Sequence, residues 1–413
     1  MDIKITPSAL SGTAEAPASK SVAHRMLICA ALADKKSTIK INKSSEDIEA
    51  TAKCLTAIGV TIEKNGSLWT LTPPDAFPRE ATLDCGESGS TLRFMLPVVS
   101  ALGINATLTG HGRLPERPIA PLLDEMKRHG VECADGFPIR VSGRLTGGRY
   151  KIAGNISSQF ITGLLLALPL CAEECEIEII PPVESKPYID ITTSVLSAFG
   201  VTVSENGNFY SVSPTRPTGG DFYAEGDWSN AAFLLAMGVS ITGLDENSAQ
   251  GDKKIIDILR SLGADIIKEN GSFRADISHL HGTDIDAADI PDLVPVISAL
   301  AATAEGETKI YNASRLRLKE SDRIATTVQM VNALGGEARA TADGIIINGK
   351  KSLSGGKVDG CSDHRIVMSS AVMALRCDNP VIITGAQAVN KSYPEFFNEY
   401  ISLGGKADVL QFW

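Results

Sequence analysis

The 413-residue chain lacks most of what would place a protein outside the ordinary globular class. No apolar run approaches the ~20 residues needed to cross a bilayer, and the longest, ITGLLLALPLCA, suits a buried helix. The amino terminus, MDIKITPSALSG, has no basic stretch followed by an apolar one, so no secretory leader is expected and a cytoplasmic location is. Eight cysteines are scattered without a CxxC pair, and Cys171 and Cys175 have no matching Cys or His nearby. Reduced core thiols are expected and a metal site is not. Neither GxxxxGK[ST] nor GxGxxG occurs, which removes support for a P-loop or a dinucleotide fold. There is no long basic block, and the net charge is −10, so nucleic acid is not an expected partner. Apolar residues at 43% and charged ones at 21% speak for a soluble globular chain of two or three domains.

What the chain does have is a repeat. A helical pattern ends in Gly and a β-like run follows, in LTAIGVTIEK (Gly59), MKRHGVECAD (Gly130), LSAFGVTVSE (Gly200), LRSLGADIIK (Gly263), VNALGGEARA (Gly335) and ISLGGKADVL (Gly404). The steps between these glycines are 71, 70, 63, 72 and 69 residues, so six units fill the chain. Each Gly is predicted to end its helix in the left-handed conformation. KNGS, ENGN and ENGS then predict tight hairpins. Upstream come strand-like runs such as STIKIN and CEIEII, and before them Ala/Leu-rich helices such as RMLICAALA. One unit reads helix, strand, helix, strand, turn, strand, which predicts an α/β protein of six copies grouped as two domains of three.

Cations stand where helices should begin. Ordinary capping accounts for Ser45, Asp227, Asp252 and the first-turn prolines. It does not account for Lys20, Arg25, Arg93, Arg117, Lys186, Lys319, Arg323, Arg365 and Lys391. A cation in a first turn opposes the helix dipole by up to ~1 kcal/mol. Nine at nearly equivalent places point to bound anions, phosphate or carboxylate, rather than to a solvated face. SGSTLR and ISSQF add glycine, hydroxyls and an amide suited to orienting a ligand. Two carboxylates lie beside apolar runs: Asp292 reads either as a helix cap or as a base, and Glu320 either as an ion-pair partner of Arg323 or as a proton-transfer group. His24 and His364 accompany the basic motifs, whereas His279 and His281 read as loop.

Ten ordered motifs then carry a resemblance. ASKSVAHR, SGSTLR, LPERPI, ISSQF, SKPYIDIT, EGDWSNAAF, IPDLVP, LKESDRI, DHRIVM and NKSYPEFF resemble the 5-enolpyruvylshikimate-3-phosphate (EPSP) synthases, collinearly from about residue 17 to 400. The resemblance implies two domains of three βαβαββ units each, an inverse α/β barrel. It places one domain at residues 20–224 and the other at 1–19 plus 225–413, with the active site in the cleft between them. It implies transfer of enolpyruvyl from phosphoenolpyruvate to the 5-hydroxyl of shikimate 3-phosphate by addition–elimination, by a monomer, without metal or organic cofactor.

Residue by residue, the resemblance assigns Lys20, Ser21, Arg25, Ser157, Ser158, Gln159, Ser185, Tyr188, Asp292 and Lys319 to shikimate 3-phosphate. It assigns Lys20, Gly89, Arg117, Gln159, Arg323, Arg365 and Lys391 to phosphoenolpyruvate, and catalysis to Asp292, Glu320 and Lys20. Asp292 matches the general base and Glu320 the group handling protons at the methylene carbon. Departures are Glu87 and Ser90 in GESGS, Phe94 after Arg93, Ala18 before Ser19, and Arg315 where the family often has Asn. Retention of Gly89 implies sensitivity to glyphosate. The nearest rival, UDP-N-acetylglucosamine enolpyruvyl transferase, carries Lys-Asn where this chain has Lys20-Ser21, and a Cys in the loop that here reads GHGRLPERPI. A nucleic-acid-end enzyme such as RNA 3′-terminal phosphate cyclase would need a basic face. A repeat scaffold gives no reason to set cations against helix dipoles.

Overall fold

All six helix-ending glycines are left-handed in the computed structural model, with φ of +95°, +88°, +77°, +94°, +89° and +97° from Gly59 to Gly404. Residues 1–134 and 136–410 are described. At Gly130 space adds to conformation, because a Cβ there would stand 2.8 Å from the Arg144 carbonyl oxygen. The predicted hairpins follow, Thr61–Asn65 with Leu68–Thr72, Val203–Asn206 with Phe209–Val212, and Asp265–Glu269 with Ser272–Asp276.

The second repeat shows the plan: strand Glu80–Asp84, helix Gly89–Leu102, strand Asn105–Thr109, helix Ala120–Arg128, and the antiparallel pair Val131–Cys133 and Ile139–Gly143. The first two strands run parallel and the fourth pairs antiparallel with both the second and the third. Among the described residues there are six sheets, each four-stranded in this order. The unit therefore has the four strands of the βαβαββ plan that the resemblance implies, one more than the local pattern predicts, the addition being a leading edge strand as short as Asp284–Asp286. Three of these leading strands, Thr13–Glu15, Asp221–Tyr223 and Asp284–Asp286, are three residues long, too short to carry a period-2 signal.

The chain divides into two compact units, Ala18–Ala224 and Met1–Pro17 with Glu225–Trp413. In the first, Asp221–Tyr223 supplies the leading strand beside Ser37–Lys40. In the second, Thr13–Glu15 pairs parallel with Ser240–Thr242, and Asp2–Thr6 lies antiparallel between Val381–Thr384 and Lys406–Leu410. The amino-terminal segment thus closes two sheets of the unit that also holds the carboxyl-terminal half.

Within each unit the first helix of every repeat is buried on nearly all sides. These are Lys20–Leu32, Gly89–Leu102 and Ser158–Ala167 in one unit, and Trp228–Leu235, Val294–Ala301 and His364–Ala374 in the other. The second helices, such as Glu46–Ala57, expose a polar face. Burying a Leu, Ile or Phe in such a core contributes about 1.5–3 kcal/mol. Close approach is built in at Gly163, where a Cβ would stand 2.2 Å from the Arg93 carbonyl oxygen. That contact brings the starts of the Gly89 and Ser158 helices together.

Candidate active site

In the Ala18–Ala224 unit the first turns of the three buried helices carry the predicted residues. Ser19 caps the Lys20 helix, its hydroxyl accepting the Val22 N–H at 3.4 Å. Lys20 Nζ donates to Asp47 Oδ2 at 2.8 Å, so the cation that opposes its own helix dipole meets a carboxylate in the first turn of the next helix. Arg25 is buried and makes a hydrogen-bond fan: Nε to Thr192 Oγ1 at 2.8 Å, Nη1 to the Ser21 carbonyl at 2.6 Å, Nη2 to Thr162 Oγ1 at 3.1 Å and to the Tyr188 carbonyl at 3.0 Å. Every one of these acceptors is neutral. Burial accordingly pushes the guanidinium down to about 9, with the nearby Tyr188 and Cys29 opposing.

Arg93 is also buried, donating to Gln159 Oε1 at 2.9 Å, the Pro118 carbonyl at 2.8 Å and the Gly89 carbonyl at 3.4 Å. Gln159 Nε2 in turn donates to Ser90 Oγ at 2.9 Å. Gly89 opens its helix with no room for a side chain, since a Cβ would lie 2.5 Å from Arg93 Nη1 and 2.7 Å from Arg117 Nη1. Ser157 caps the Ser158 helix by accepting the Gln159 N–H at 3.3 Å. Ser185 is buried at φ +57°, a left-handed value rarely taken by a non-glycine residue and kept where the surroundings enforce it. Lys186 differs from expectation: half-exposed, it pairs with Asp190 at 2.6 Å and Glu205 at 3.2 Å. Its helix-start charge is met by its own unit's carboxylates.

In the other unit the residues converge on Asp292. Its carboxylate accepts from Arg323 Nη1 at 2.8 Å and Arg365 Nη2 at 2.9 Å, with Lys319 Nζ at 3.5 Å. Burial raises this carboxyl, but Arg365, Lys319 and Arg323 outweigh it and hold it well below the usual range. Glu320 Oε2 accepts from Arg323 Nη2 at 2.7 Å, so both candidate carboxylates share one guanidinium. Burial lowers the Lys319 ammonium, with Asp292 opposing. Lys391 Nζ donates to the Ser362 carbonyl at 2.7 Å, in a turn where Cys361 and Ser362 are both left-handed just ahead of the Arg365 helix.

Several groups in these clusters escaped the sequence reading. Asp363, fully buried, accepts from Arg323 Nε at 2.7 Å and Nη2 at 3.2 Å, from Ser321 Oγ at 2.9 Å and from the Arg365 N–H at 3.0 Å. It also caps the His364–Ala374 helix, and nothing in DHRIVM announced the arginine it holds. Asp47, in SSEDIEA, offered the signal of an acidic first turn and nothing more. Asp252 corrects the capping expectation: it lies inside the Gly251–Lys254 turn, after Gln250, rather than at a cap. Burial and then Asp292 push its carboxyl up to about 7, against Arg365. Arg317 donates to Asp322 Oδ2 and to the Thr341 carbonyl, both at 3.1 Å. Asp322 caps the Arg323 helix by accepting the Ala325 N–H at 3.1 Å. Among the described residues no group of three or more His, Cys, Asp or Glu is arranged to hold a metal ion. No helix there is long and apolar enough to cross a membrane.

Fold and site together define a class: an α/β repeat enzyme with cations gathered at buried helix starts and two carboxylates sharing an arginine. A family model for EPSP synthase (3-phosphoshikimate 1-carboxyvinyltransferase) matches residues 5–400. The chain is 42% identical to the 3-phosphoshikimate 1-carboxyvinyltransferase of Clostridium kluyveri and 37% identical to that of Clostridioides difficile, with 98% of each chain covered in both comparisons. A solved EPSP synthase from Acinetobacter baumannii superposes with a TM-score of 0.82 at 27% identity, over 99% of this chain and 100% of that one. The chain belongs to the EPSP synthase family.

Proposed function

We propose that the residues of both units act in one reaction, in which the 5-hydroxyl of shikimate 3-phosphate attacks C2 of phosphoenolpyruvate, C3 is protonated, and the tetrahedral adduct loses phosphate. The enzyme is an enolpyruvyl transferase of the shikimate pathway, as its family and relatives have it, and the UDP-N-acetylglucosamine alternative is not favoured. The observation that carries the residue assignment is that Asp292 and Glu320 hang on the same Arg323 guanidinium. An addition–elimination needs one group to take the hydroxyl proton and another to deliver and recover the proton at C3. Asp292 is the base and Glu320 handles the methylene carbon, with Lys20 serving both substrates.

Held so low, Asp292 is a weak base until substrate arrives. Phosphate and carboxylate binding at Arg323 and Arg365 draws these cations away from Asp292, which then becomes the stronger base. Lys20, Gly89, Arg117, Gln159 and Lys391 complete the phosphoenolpyruvate set, and Ser21, Arg25, Ser157, Ser158, Gln159, Ser185, Tyr188 and Lys319 receive shikimate 3-phosphate. Arg25 supports this reading: a buried guanidinium with only neutral acceptors gains most from a bound anion. We read the enzyme as a cytoplasmic monomer that needs no metal or organic cofactor and binds no nucleic acid. Glyphosate is expected to compete with phosphoenolpyruvate, and an inhibition constant indifferent to phosphoenolpyruvate concentration would refute that. The reaction is tested by phosphate release from phosphoenolpyruvate with shikimate 3-phosphate and, separately, with UDP-N-acetylglucosamine. Release with the first alone is expected, and silence with the first would end the reading.

A further inference from the structure

The chemistry above leaves unused a buried chain of polar side chains in the Ala18–Ala224 unit. His24 lies between Ser21 and Arg25 on the Lys20 helix, with its Nδ1 2.7 Å from Thr51 Oγ1. Thr51 Oγ1 lies 2.7 Å from Thr91 Oγ1, and Thr91 donates to Ser88 Oγ at 2.8 Å. Ser88 Oγ also accepts the Thr91 N–H at 3.2 Å, which makes it the cap of the helix that Gly89 opens. All four residues are at most 1% exposed. The chain therefore joins three helices, starting one turn from Lys20 and ending directly before Gly89. Cys54, one turn after Thr51, fastens the middle helix again by donating to the Asp84 carbonyl at 3.4 Å.

The direction of the chain follows from its two ends. With Thr91 donating to Ser88, Thr91 accepts from Thr51 and Thr51 accepts from the His24 Nδ1–H. Reversal would leave an Nε2–H buried, and His24 Nε2 has no partner among the described residues. A buried donor without an acceptor is rarer and more unfavourable than an unused lone pair. Burial, then Lys20 and Arg25, keep the ring neutral by lowering its pKa well below the usual range. The Phe94 ring fixes it further, edge-on at 6.2 Å. Arg25, the next residue, donates to Thr162, Thr192 and the Tyr188 carbonyl, so the two neighbours anchor one helix to different partners.

We propose that His24 is a positioning residue for phosphoenolpyruvate: through Thr51, Thr91 and Ser88 it holds the Gly89 helix start, with Arg93 and Arg117 packed on it, in register with Lys20. This rests on the assignment of Lys20, Gly89 and Arg117 to that substrate. The test is Thr51→Val, nearly the same shape without the hydroxyl, assayed with each substrate varied in turn. KM for phosphoenolpyruvate should rise about tenfold or more, with kcat and KM for shikimate 3-phosphate within about threefold. His24→Phe should show the same split, and His24→Asn, whose amide N–H can reach Thr51, should recover most of the loss. In the unmodified enzyme, ring carbon and nitrogen NMR shifts should report a neutral Nδ1–H imidazole across the neutral pH range, the signal being assigned by its loss in His24→Asn. A KM for phosphoenolpyruvate within twofold of the parent, a parallel rise of both KM values, or an Nε2–H or protonated ring would overturn the proposal. If the unmodified enzyme releases no phosphate, the assigned reaction fails instead, and the NMR arm still decides the chain's direction.

Discussion

Gly89→Ala separates stability from binding at a single methyl group. Gly89 is the first residue of its helix and has no left-handed φ, so alanine adds no backbone strain and the variant should fold. The added Cβ would meet Arg93 Nη1 at 2.5 Å and Arg117 Nη1 at 2.7 Å, where ordinary contact begins at 3.4 Å. The shortfalls, 3.4 − 2.5 and 3.4 − 2.7, are 0.9 and 0.7 Å, which two arginine side chains absorb by swinging aside. Arg93 also carries Gln159, 2.9 Å away, so the disturbance reaches the amide assigned to both substrates. Losing alignment of one or two charge-assisted hydrogen bonds at about 1.5 kcal/mol each corresponds to a 10- to 100-fold rise in KM for phosphoenolpyruvate. Steady-state phosphate release at saturating shikimate 3-phosphate measures it, alongside a thermal melt. A KM within twofold of the parent at unchanged Tm would refute the view that Arg117, beside Gly89, grips the donor substrate.

Glu320→Gln keeps an oxygen for Arg323 but cannot carry the proton, so kcat should fall by at least about 100-fold with little change in either KM. Near-normal turnover would reduce Glu320 to the ion pair it already forms. Asp252, raised in the fold to about 7 from an ordinary 3.8, contributes stability that is present below the ordinary value and lost as pH rises through about 7. Asp252→Asn should therefore raise Tm relative to the parent more at pH 8 than at pH 5, and an equal shift at both would count against a buried acid there. Gly130→Ala combines a left-handed backbone with a 2.8 Å contact to the Arg144 carbonyl, and should destabilise by about 1–3 kcal/mol in a denaturation experiment while leaving KM values unchanged.

The repeat was legible because its markers are local. A helix followed by a left-handed turn needs Gly, and a two-residue hairpin needs Asn-Gly, whatever surrounds them. The leading strand of each sheet was implied by the family resemblance and was not legible in the local pattern, since residues such as Asp221–Tyr223 become a strand only when Ser37–Lys40 lies alongside. The cations were visible as offences against the helix dipole, but their partners were not. Lys186 and Arg323 look alike in sequence, each at a helix start. The first finds Asp190 on its own helix, whereas the second is buried against Asp292, Glu320 and Asp363. Asp363 stands 40 residues from Arg323, and no local pattern announces such a pairing.

The amino-acid sequence by itself determined the six-fold repeat, the α/β class, the positions of the helix ends and, through ten ordered motifs, the family. Each of these depends on interactions within a few residues or on the identity of a residue at a motif position. Tertiary structure alone decided which cation meets which carboxylate, that Asp252 lies buried near Asp292 instead of capping a helix, and that His24, Thr51, Thr91 and Ser88 form one chain. The physical reason is the range of the forces. Turn and capping preferences are satisfied along the chain, whereas burial and the ion pairs and hydrogen bonds it strengthens exist only after distant helices have been packed together.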